Sequence, residues 1–296
     1  MIEEGYRVLQ YLANGVVAGS IIALTAVGLT LVYSILRITN FAHGDYVAIG
    51  AYTALFLNMS YGISPRQALP VAIIMGAVTA VILELVLWRR MRRRRAGPVA
   101  LIVASIGLAL FLRNGLVFLF SPAHRAYKVP IHRAEAILGL PVRLTGDQKF
   151  IIIVALLLVV LLHLMLRYTV IGKAMRAMSD NMDLAWTCGV DVDRIVLWAW
   201  VAAGGLAAAG GVLYAMTRPV YPELGWHLLL PMFAAIILGG IRNPYGAILG
   251  GLLIGIAQEA SVMVVRNEYK MAVGFVVLIL TLFLRPQGLL GEETYR

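Results

Sequence analysis

Residues 150–216 read FIIIVALLLVVLLHLML, RYTVIGKAMRAMSDNMDLAWTCGVDVDR, IVLWAWVAAGGLAAAGGVLYAM. The first block, Phe150 to Leu166, and the last, Ile195 to Met216, are each long and apolar enough to cross a bilayer as a helix. Between them lies a polar island, Arg167 to Arg194. Met175, Met178, Met182, Ala185 and Gly189 recur at three- and four-residue spacing, with Lys173, Arg176, Asp180, Asp183 and Thr187 between them. That pattern predicts a narrow apolar face on one short helix or a pair. Ser179 is placed to cap the second piece. Gly189 is placed to end it in a left-handed turn. A methionine-rich face adapts to a partner surface, so the island reads as a docking element on one side of a membrane, or as a loop folded back on its own helices.

Working outward, the 296-residue chain is 61% hydrophobic and only 14% charged. Soluble domains carry about a quarter of their residues as charges, which excludes an ordinary soluble enzyme. The apolar runs do not alternate, so the expected class is all-α: a polytopic membrane helix bundle of eight to nine transmembrane segments. Eight spans are clear: Leu9–Tyr33, Tyr46–Met59, Gln67–Trp88, Val99–Phe120, Phe150–Leu166, Ile195–Met216, Gly246–Val265 and Met271–Leu284. A ninth, about Leu228 to Gly240, is short and reads as broken or re-entrant, a form tolerated where protein or water satisfies the backbone. Residues 1–296 form a single transmembrane domain in this reading. Small residues between Gly204 and Gly211, and GxxxG steps at Gly246/Gly250 and Gly251/Gly255, predict closely packed helices.

The net charge of +10 is concentrated in WRRMRRRR, Trp88 to Arg95, directly after an apolar helix. Such a run faces the cytoplasm and anionic membrane lipid rather than nucleic acid. Alternation then puts residues 167–194 in the cytoplasm and the N-terminus outside. The loop Ser121 to Lys149 is placed outside although it carries Arg125, Lys128, Arg133, Arg143 and Lys149. MIEEGYR lacks the basic start of a cleaved signal peptide. Cys188 is the sole cysteine, so no intrachain disulfide forms.

No phosphate-cradling GxxxxGK[ST] loop is present, and the five histidines (His43, His124, His132, His163, His227) are scattered without metal-ligand spacing. No catalytic residue, metal or cofactor is expected on the chain itself. Charges at membrane depth are the other candidates. Arg113 and Glu259 are expected to form a buried ion pair that clamps two helices, the alternative being a substrate contact. Glu84 is expected to reach the arginine run, and His163 to be a satisfied core histidine. The break Asn40, Phe41, His43, Gly44, Asp45 reads as a well-capped turn, or as a gate or part of a permeation path. There Asn40 caps the next helix and Asp45 sits at its positive end.

NFAHGD (Asn40–Asp45), GKAMRAMSDNMDLAWTCGVDVDRI (Gly172–Ile195), LGGIRNPYGAILGGLLIG (Leu238–Gly255) and RPQGLLG (Arg285–Gly291) together resemble, in order, permease subunits of branched-chain amino acid ABC importers. The resemblance implies a second homologous permease, two ATPase subunits that use ATP and Mg, a soluble substrate-binding protein outside, and a location in the bacterial inner membrane. It implies that Met175, Met178, Asp180, Asn181, Met182, Asp183, Ala185 and Gly189 couple the chain to an ATPase. Trp186, Thr187 and Cys188 depart from the pattern. Urea and short-amide permeases of the same superfamily tend to carry NMAHGE in place of NFAHGD, which favours neutral amino acids here. The rival class, a secondary transporter working alone, needs coupling-ion sites at the midplane that the sequence does not offer.

Overall fold

The computed structural model of the chain describes residues 2–129, 134–136 and 142–291, with side chains from Tyr6 onward. His132 and Arg133 lie outside the described residues. Eleven helices are described: α1 (Ile2–Leu36), α2 (His43–Tyr61), α3 (Pro65–Leu83), α4 (Pro98–Phe120), α5 (Gly146–Tyr168), α6 (Val170–Asp180), α7 (Met182–Thr187), α8 (Val192–Ala215), α9 (Leu224–Gly239), α10 (Pro244–Ser261) and α11 (Lys270–Leu284). α3 continues through a π-helical turn, Glu84–Trp88, and a last helical piece, Arg89–Arg93. A two-stranded antiparallel ladder, β1 (Glu135–Ala136) on β2 (Arg143–Leu144), is the one sheet among the described residues.

The nine apolar segments read from the sequence are α1 to α5 and α8 to α11. Among the described residues six helices are long and apolar enough to cross a membrane, so the chain is a multi-pass membrane protein. The outer helices α4, α5 and α11 leave large apolar side chains such as Phe111, Leu156 and Phe283 exposed, as lipid requires. The centre is built from α1, α2, α3, α8, α9 and α10. The α8 seam predicted from its composition is buried throughout Gly204–Gly205 and Ala207–Gly211. α1 and α10 pack so closely that a Cβ on Gly19 would come within 2.8 Å of Leu252 Cα. With no hydrophobic effect between helices in lipid, such contact is what holds them together.

The bundle has two distinct ends. At one, Arg89 and Arg93 pair with Asp193. Arg37 and Arg242 both donate to the carbonyl of Ser179. There too Leu290 N–H donates to Gly239 O (3.0 Å). At the other end Gln10 bonds the backbone of Arg143, Arg66 pairs with Asp147 (2.8 Å), and Lys128 N–H donates to Asn58 Oδ1 (2.7 Å). The arginine run and residues 167–194 thus share an end, as alternation demands.

Two helices start inside the bundle instead of at an end. The His43 ring donates from Nε2 to Thr25 O (3.0 Å), and Thr25 stands about 16 Å before the end of α1 at 1.5 Å per residue. The chain therefore turns at Arg37 (φ 55°) and climbs back before α2 begins. From the opposite end, 217–223 descends, tied to the 121–129 loop by paired bonds between Arg125 and Val220 (2.9 and 2.6 Å). α9 then starts against α2: a Cβ on Gly44 would lie 2.6 Å from Gly225 O. The 16 residues of α9 span about 24 Å, less than a hydrocarbon core of about 30 Å. The segment expected over Leu228–Gly240 is one short helix, α9, beginning four residues earlier than read.

Candidate functional site

The break 37–42 is organised by its own polar groups. Asn40 Oδ1 accepts from Ala42 N–H (3.1 Å), and Asn40 O accepts from His43 N–H (3.3 Å). Asn40 therefore shapes the turn that leads into α2. It is not the helix cap: Ala42 holds that position, with no side-chain bond. Ser105 of α4 accepts from Phe41 N–H (3.3 Å), which fixes the ascending segment to α4. Phe41 in turn meets Phe233 of α9, ring centroids 5.4 Å apart.

Above these rings lies the charge predicted to sit elsewhere. Arg113 of α4 faces Asp45 of α2, Nε to Oδ1 3.6 Å, and its guanidinium lies 4.8 Å from the ring centroid of Trp226 in α9. The Arg113–Glu259 pair does not form. Glu259 is bonded to Lys270 across the turn between α10 and α11. Arg113 sits part-way along α4 and meets the interior start of α2, a position that no one-dimensional reading assigns to Asp45. Asp45 lies in the first turn of α2, beside the start of α9, where both helix dipoles are positive and a carboxylate is favoured. Asn40, Phe41, His43, Gly44 and Asp45 thus do come together, and Arg113, Trp226 and Phe233 join them from other helices.

A second layer links this junction to the basic end. Tyr46 packs edge-on against Trp200, which stacks on Trp88. Glu84, 1% exposed, accepts from both Nη atoms of Arg92 across the π-helical turn. The expected reach of Glu84 to the arginine run is realised there. His163 is satisfied by Tyr245 Oη (2.9 Å), at a partly exposed position and not in the core.

Residues 167–194 fold as two short helices. Thr169 accepts from Gly172 N–H (3.0 Å) to cap α6, and Asn181 accepts from Leu184 N–H (3.0 Å) to cap α7. The cap expected of Ser179 is thus made by Asn181, while the Ser179 carbonyl serves the two arginines. Gly189 has φ +86°. Bonds from Gly189 N–H to Trp186 O and Val190 N–H to Ala185 O close α7 as a Schellman motif. Met175 and Met178 are each 2% exposed and Ala185 5%. This corrects the expectation that the methionines form the docking face: they hold the segment to the bundle. The outward face carries Asp180, Asn181, Asp183, Leu184 and Trp186, with Met182 half-buried and Gly189 exposed. Met182, Asp183, Trp186 and residues 190–193 line an open groove of about 500 Å³. Leu184 and Trp186, both exposed, fall outside the period of Met175, Met178, Met182, Ala185 and Gly189, so the sequence pattern does not single them out.

Residues 11–282 match the family model described as branched-chain amino acid transport system, permease component. The chain is 32% identical to the high-affinity branched-chain amino acid transport system permease protein LivH of Escherichia coli K12, over 99% of this chain and 98% of that protein. It is 27% identical to LivM, described as a permease protein of the same kind of system in that organism, over 90% of this chain and 67% of LivM. Among solved structures it resembles PsaBC from Streptococcus pneumoniae in complex with Fab, with a TM-score of 0.53 and 14% identity over 97% of both chains. That last likeness concerns the fold.

Proposed function

The chain belongs to the branched-chain amino acid transport permease family, and on that premise we propose that it is the membrane subunit of an ATP-driven importer of branched-chain and other neutral amino acids. The observation that carries the reading is the near-full-length match to LivH, joined to an internal break with charged groups at bundle depth. A second permease related to LivM pairs with it, two ATPases bind beneath, and a soluble binding protein delivers substrate from outside. The end that holds Arg89–Arg95 and residues 167–194 is cytoplasmic.

In this mechanism the ATPases consume ATP and Mg, and this chain converts their closure into a change of access. Trp186, Leu184 and the acidic residues around them receive the motion. α2 and α9 form the barrier, since each starts inside the bundle and a small shift of either opens a path. The test is purification from native membrane in mild detergent, with mass spectrometry of associated proteins, followed by uptake in vesicles. Co-purification of an ATPase and a second permease, with ATP-dependent leucine uptake, is expected. A chain that purifies alone and carries solute without ATP would overturn the reading.

A further inference from the structure

We propose that the junction of α2, α4 and α9 is a transient site for a zwitterionic α-amino acid, with Arg113 taking its carboxylate and Asp45 its ammonium group. The proposal deepens the permease reading and rests on it.

The Asp45 side chain is 2% exposed, yet neither carboxylate oxygen has a hydrogen-bond donor. Nε and Nη2 of Arg113 are likewise buried and unpartnered. At 3.6 Å the pair is a loose contact. A purely structural buried pair closes into a two-pronged bond, because each unfilled donor or acceptor adds a desolvation cost. This protein makes such a bond elsewhere: Glu84, equally buried, takes both Nη atoms of Arg92. The looser geometry at Asp45 leaves hydrogen-bonding capacity for a guest of both charges.

Ser64, Thr145, Thr169, Asn181, Asp191 and Asn243 cap their helices with a side-chain oxygen. α2 and α9, like α4 and α11, have no such cap, and of these four it is α2 and α9 whose N-termini meet within the bundle, at Gly44 and Gly225. Two uncapped N-termini add partial positive charge beside Arg113, suited to a second carboxylate.

Arg113 remains 16% exposed and Trp226 39%, so the junction is reachable from the Trp226 side. Beyond it Phe41 and Phe233 close the way toward the basic end and offer apolar surface to an aliphatic side chain. When an amino acid enters, its carboxylate replaces Asp45 on Arg113, and Asp45 turns to the ammonium group. Every charge keeps a partner in both states. A monocarboxylate or a cationic amide would leave one protein charge unpaired at membrane depth, which disfavours it.

The test uses the complete transporter in vesicles with a leucine analogue that carries a photoreactive diazirine in its side chain. Irradiation and peptide mapping are expected to place the label on Phe41, Trp226 or Phe233. Excess leucine should suppress it, whereas isocaproate and leucinamide should not. Asp45→Asn and Arg113→Gln should each reduce the label at least tenfold, and Arg113→Lys should restore part of it. Should a variant fail to fold, the map and competition in the unmodified protein decide alone. Label confined to other residues, or equal competition by isocaproate, overturns the site. Leucine uptake is measured in parallel: uptake without label at the junction removes the site and keeps the permease, and no uptake removes both.

Discussion

The indoles of Trp88 and Trp200 lie face to face, centroids 6.0 Å apart and planes within 7°, at the point where α3 meets α8. Both are fully buried, and Tyr46 of α2 rests on the second of them. Three helices share this stack, one of which leads to the barrier and two to the basic end. Trp200→Ala should cost about 3 kcal/mol or more, the usual range for an aromatic removed from a packed core. Trp200→Phe should cost less. Thermal unfolding in detergent, followed by loss of monodisperse protein, distinguishes the two.

A double-mutant cycle checks the reassigned ion pair. Arg113→Ala and Glu259→Ala should be additive to within about 0.5 kcal/mol, since each residue has a different partner. Arg113→Ala with Asp45→Ala should depart from additivity by about 1 kcal/mol or more. Coupling between Arg113 and Glu259 in stability measurements would reinstate the discarded pair.

Gly225→Val should abolish transport and lower folded yield. No Cβ fits there, because Gly44 backbone occupies the space from the other helix. Overpacking costs typically about 1–3 kcal/mol, and here both sides of the clash are backbone, which cannot rotate away. Wild-type uptake by that variant would show that the two N-termini separate freely.

The two faces of the 167–194 segment should respond differently. Met178→Ala should lower stability by about 2 kcal/mol or more, as expected of a buried methionine, and weaken coupling only through that loss. Trp186→Ala should leave the melting temperature nearly unchanged while ATPase subunits dissociate. Matching losses of ATPase from both variants at equal stability would return the methionines to the interface.

Gly189→Arg should leave membrane insertion intact and separate ATP hydrolysis from uptake. Nothing lies within 4 Å of a Cβ there, so the cost is the left-handed backbone, about 1–2 kcal/mol, and it distorts the end of α7. Fully coupled uptake with that arginine present would refute the role given to this turn.

What the sequence determined was everything written in composition and local period. Apolar runs of bilayer length require helices, because lipid offers no partner for a free backbone amide. The arginine run, the small-residue seam of α8 and the positive-φ glycine closing α7 follow from chemistry confined to neighbouring residues. Tertiary structure decided what depends on where a helix begins in depth. A chain that turns at Arg37 and climbs back before His43 looks, in one dimension, like any loop at a membrane surface. Only packing shows that α2 and α9 start inside the bundle, so Arg113 meets Asp45 and leaves Glu259 to Lys270. The methionines turned inward for a similar reason. Periodicity identifies an apolar face but not its partner, and the bundle's own surface, lying nearest, claimed Met175 and Met178 and left Trp186 outside.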